Sequence, residues 1–93
     1  MGKQREPRRL PIVVVEWIDS ATGGGWQGID QAEHGALECI TVGFLVKETD
    51  EALSVAHSVS QQDGEDSGVC DMISIPQCAI RRWYLVDGVR ADD

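Results

Sequence analysis

The chain has 93 residues and a net charge of -8, with 42% hydrophobic and 26% charged residues. That length leaves no room for separate catalytic and cofactor domains, and the composition is too apolar for wholesale disorder. The charge is uneven: residues 1–11 sum to +3, residues 12–80 to -11 and residues 81–93 to zero. An acidic body repels a phosphate backbone, so generic nucleic-acid binding is not expected and basic protein surfaces are the favoured partners.

In chain order, residues 1–10 read as a flexible basic leader, 11–87 as one β domain and 88–93 as a flexible acidic tail. No apolar run has the length to span a bilayer, and no secretory signal follows the charged start, so the expected compartment is the cytoplasm, without membrane association. Leu10 to Trp17, LPIVVVEW, is a β-branched run that Pro11 makes a strand start or an edge. Residues 18–35 contain five glycines among polar residues and predict a long first loop, with Trp26 as its large anchor.

From Glu38 to Glu48, period two places Ile40, Val42, Phe44 and Val46 on one face and Cys39, Thr41, Gly43, Leu45 and Lys47 on the other. Gly43 in the middle predicts a bend or a closely approaching backbone. Residues 50–60 alternate as a strand, with a helix in which Leu53, Ala56 and Val59 share a face as the rival reading. The segment 61–68, with Asp63-Gly64, predicts a hairpin connection to a strand at 69–75. Pro76 lacks an amide hydrogen and should leave the ladder; PQCA then has the length of a single 3₁₀ turn before a last strand at 80–86. Five short strands in this order predict a small SH3-like barrel, in which closure hides the sheet edges.

The segments EWIDS at 16–20, Trp26, ECITVGFLVKET at 38–49 and ISIPQCAI at 73–80 resemble small proteins of tailed bacteriophages and prophages. The carrying positions are Thr41, Val42, Gly43 and Leu45 in the strand motif and Ile75, Pro76 and Ile80 in the turn motif. The resemblance implies an accessory viral protein acting in an infected bacterial host, where such proteins bind host enzymes or sequester nucleotide signals of host defence.

Candidate chemistry is sparse. Gly23, Gly24, Gly25 and Gly28 invite a phosphate cradle, but the Lys-Ser or Lys-Thr of a P-loop is missing. Cys39, Cys70 and Cys78 lack the paired spacing of a zinc site, and buried thiols are expected instead. His57, on the apolar side of its strand, reads as a partly buried, hydrogen-bonded ring, and no arrangement typical of a catalytic triad accompanies it or His34. Arg81, Arg82, Trp83 and Tyr84 combine the residue types enriched at binding hot spots. The expectation is therefore a protein without enzymatic activity or cofactor that binds a host or viral protein through an acidic surface, as an inhibitor, and can self-associate as a homo-oligomer. The rival is an oligomer that sequesters a small nucleotide. The residues expected to bind the partner or ligand are Trp26, Gly24, Gly25, Arg81, Arg82, Trp83 and Tyr84.

Overall fold

The computed structural model describes residues 9–21, 25–32 and 35–86. The leader, the acidic tail, Gly23, Gly24 and His34 lie wholly or mainly outside them. Five strands follow in chain order: β1 (Ile12–Ser20), β2 (Ala36–Glu48), β3 (Ala52–Gln62), β4 (Glu65–Pro76) and β5 (Ile80–Leu85). A 3₁₀ turn at Ile29–Gln31 lies in the β1–β2 connection, and a second at Gln77–Ala79 precedes β5. The segment 52–62 is a strand, not a helix, because its alternation buries Leu53 and Val55 on one face and lets both neighbours complete its backbone pairing.

All pairings are antiparallel, in the order β4-β3-β2-β1-β5. The expected SH3-like barrel is not formed. Closure would need a ladder between the terminal strands of this order, yet among the described residues β4 and β5 each pair on one side only. What joins the start of β4 to the entry of β1 is a side chain: Asp66 accepts from the Leu10 amide at 2.8 Å and from Gln61 Nε2 at 2.8 Å. The edges that a barrel would have hidden stay open.

Curvature does part of the work of closure. β2 pairs with β1 along Ala36 to Phe44, but with β3 only along Phe44 to Glu48, so the two hairpins separate beyond that junction. Gly43 sits at the junction, where a Cβ would lie 2.6 Å from the Ala56 carbonyl oxygen and 2.7 Å from Val55 Cγ1. Only glycine permits that approach, which is the close-backbone alternative expected for this position. The bend brings Val13, Val15 and Trp17 of β1 against Leu53, Val55 and Ile75 of β3 and β4, with Cys39, Leu45, Ile80 and Trp83 packed around them.

Local chemistry fixes the connections. Asp63 and Gly64 both have positive φ, 54° and 80°, as a two-residue hairpin turn between Gln62 and Glu65 requires. The predicted 61–68 connection thus shrinks to two residues, because β3 and β4 keep pairing on both sides of it. The Thr49 hydroxyl accepts from the Glu51 and Ala52 amides to close the β2–β3 turn. Gln77 donates its backbone amide to Glu51 O and its side-chain amide to Thr49 O, holding the second 3₁₀ turn on that corner. Pro76, expected to leave the ladder, instead stays in it as the last residue of β4 opposite Ala52, because at the end of an edge strand its missing donor is tolerated.

Candidate binding surface

The sequence candidates fall into two separate groups. Trp26 and Ile29 project from the β1–β2 connection, and both side chains are essentially fully exposed. Gly25, beside Trp26, has open space around it, while Gly24 lies outside the described residues. Arg81 to Tyr84 lie on β5. A side chain as exposed as Trp26 packs on nothing, so it does not share a pocket with these arginines.

On β5 the roles divide. Trp83 is half-buried and packs on the core opposite Val15, so it is a structural residue. Tyr84 is exposed and Arg82 stacks over its ring at 5.5 Å. Arg82 also binds the Glu16 carboxylate at 2.7 Å. That hydrogen bond, with the charge of Glu16, raises the Arg82 guanidinium above its ordinary pKa. Arg81 pairs with Glu38 at 3.1 Å and lines a cleft of about 150 Å³ together with Glu16 and Glu38. Both arginines are thus committed to carboxylates, so neither offers an uncompensated positive charge to an anion entering this cleft.

Several expectations need correction. Cys70 and Cys78 are exposed and Cys39 is half-buried, so these free thiols are not the buried ones anticipated. Cys70 and Cys78 sit on or beyond the edge strand β4, where little packs over them. His57 is exposed; it does hydrogen-bond, through Nδ1 to Ser58 Oγ at 2.9 Å. Among the described residues, no three His, Cys, Asp or Glu side chains gather as metal ligands would. A groove of about 290 Å³ lined by Leu10, Val46, Asp66, Ser67, Gly68 and Val69 lies just under the range of roughly 300–1,000 Å³ usual for small-molecule sites.

No family model, curated protein or solved structure matches the chain. The resemblance to bacteriophage and prophage proteins is therefore withdrawn, and with it the viral reading: the short motifs at 38–49 and 73–80 are accounted for by a bent strand and a turn. What the geometry adds is a surface that the alternation rule alone did not mark. The more apolar face of β2 is the outer one: Ile40 is 71% and Val42 59% exposed, while the Cys39, Thr41, Gly43 and Leu45 side meets the core. The register sets Val42 beside Val14 and Tyr84, and Ile40 beside Glu16 and Arg82, on one outer face. Thr41 is drawn inward because its hydroxyl accepts the Trp17 Nε1 hydrogen bond at 2.8 Å.

Proposed function

We propose that this chain is a non-catalytic module that binds a basic protein surface through the tip of the β1–β2 hairpin, with Trp26 and Ile29 as the anchoring side chains. The observation that carries this reading is the full exposure of both residues on one connection. Large apolar groups held in water gain free energy when a partner covers them, and tryptophan is the residue type most enriched among binding hot spots. The -8 net charge makes a basic partner the electrostatically matched one and speeds its encounter. The nucleotide-sequestering alternative has less support, because Arg81 and Arg82 are occupied by Glu38 and Glu16.

The test compares intact chain with a Trp26→Ala, Ile29→Ala double variant as baits for quantitative capture from cell extract, at low and at high salt. The expected result is a protein partner enriched by the intact chain, at least about tenfold depleted with the variant and weakened by salt. Equal capture by both baits, or recovery of a stoichiometric nucleotide in place of a protein, would overturn the proposal.

A further inference from the structure

The open half of β2 is a second surface, and its chemistry selects an occupant. The Leu45 amide donates to Pro11 O, which sets the ladder so that odd-numbered β2 residues turn their backbone groups toward β1. The amides and carbonyls of Glu38, Ile40 and Val42 therefore point away from β1. β3 covers that side only from Phe44 onward, and among the described residues no strand pairs with Ala36 to Gly43 there.

Natural proteins blunt open edges with bulges, prolines or charges. Each of the other long edges here carries such a device. β4 shifts register opposite Ser60/Gln61, has Asp71 at a φ of 56° and ends in Pro76. β5 is six residues long, is bulged between its Ile80 and Arg82 pairings and carries two arginines. The open part of β3, from His57 to Gln62, is polar apart from Val59. By contrast, β2 runs in unbroken register with β1 from Ala36 to Phe44, with no proline or lysine and with Ile40 and Val42 outward.

Charge decides what can approach. The open segment carries a single ionic side chain, Glu38, already neutralised by Arg81 at 3.1 Å. Two chains of net charge -8 repel over most of their surfaces, yet here they meet without bringing uncompensated charge together. An antiparallel edge is also self-complementary about a twofold axis.

We infer that a second copy of this chain pairs with the first, β2 to β2, about a twofold axis beside Ile40. Residue 40 then faces its own counterpart and Val42 lies opposite the aliphatic stem of Glu38. About six backbone hydrogen bonds join the two sheets into one. The outer faces merge, so Ile40 and Val42 of both copies form one apolar strip continuous with Val14 and Tyr84.

The experiment is sedimentation equilibrium of the full chain over micromolar to millimolar concentration, beside Ile40→Pro and Ile40→Lys. Proline at position 40 removes an amide that serves the open edge and none that serves β1. Lysine at position 40 keeps every amide and sets two like charges directly opposite each other across the twofold axis. The expected result is a species of twice the 10.2 kDa chain mass, with a dissociation constant raised at least about tenfold in each variant while circular dichroism is unchanged. If Ile40→Pro unfolds, Ile40→Lys alone decides. The inference is overturned if the intact chain stays at 10.2 kDa up to millimolar concentration, if Ile40→Lys dimerises as the parent does, or if the edge takes up only an extended peptide of another protein. It is independent of the partner bound at Trp26, whose capture the lysine variant leaves intact.

Discussion

Replacing Gly43 by alanine tests the packing that bends the sheet. The new Cβ would sit 2.6 Å from the Ala56 carbonyl oxygen, so β3 must retreat by about 0.8 Å to reach the 3.4 Å of ordinary contact. The obstacle is backbone, the Ala56 carbonyl of the Phe44–Ala56 pair that ends the β2–β3 ladder, and no rotamer change relieves it. Overpacking of this kind costs about 1–3 kcal/mol, and straining the adjacent ladder bonds adds about 1 kcal/mol. Alanine also stiffens the unfolded chain, which returns about 0.4–1 kcal/mol. The net loss is about 2–3 kcal/mol, a large share of the stability of a domain this small. At about 4–8 °C per kcal/mol, the Tm should fall by about 10–20 °C, read by circular dichroism at one fixed protein concentration. A fall of less than about 3 °C would refute the reasoning. So would restoration by a second change, Val55→Ala, since that removes the side-chain contact and leaves the carbonyl in place.

Asp66 is 3% exposed and accepts from the Leu10 amide and from Gln61 Nε2, so Asp66→Ala should remove both bonds and cost about 2–4 kcal/mol in urea unfolding. Thr41→Val keeps the volume but removes the acceptor of the Trp17 indole; a loss of about 1–3 kcal/mol, with a shift in tryptophan emission, is expected, and an unchanged midpoint would show that water replaces the hydroxyl. Gly64→Ala meets no atom within 4 Å but must hold a φ of 80°, so its cost of about 1 kcal/mol is conformational alone. Placing asparagine there should recover part of that loss in the same urea titration.

The strands were largely legible because their signals are local. The alternation read over 50–60, Asp63-Gly64 and the short turn before the last strand each act within a few residues, and they place β3 at 52–62, the hairpin at 63–64 and the 3₁₀ turn at 77–79. Closure was not legible, because whether β4 meets the far edge depends on how the two hairpins part beyond the Phe44 junction, a property of both together. The side of β2 that meets the core was hidden for a similar reason. Apolar content favours Ile40 and Val42, but the bond from Trp17 to Thr41 and the need for a glycine at the junction turn the other face inward. Among the candidate residues, exposure separates Trp26 from Trp83, which sequence treats alike. The commitment of Arg81 and Arg82 to Glu38 and Glu16 rests on pairings 43 and 66 residues apart, which spacing cannot show.

The pairing of β1 with β5 also governs the order of assembly. Val13 lies opposite Leu85, so the first strand waits for the last to be synthesised before its second ladder forms. Until then one flank of IVVVEWI, including three consecutive valines, is exposed on the nascent chain. Contacts of such span slow folding toward the millisecond-to-second range of all-β domains and leave an aggregation-prone strand waiting. A chain stopped before Ile80 would keep the β1–β2 and β3–β4 hairpins but carry that flank permanently, and its fate in a cell would be decided by chaperones and proteases.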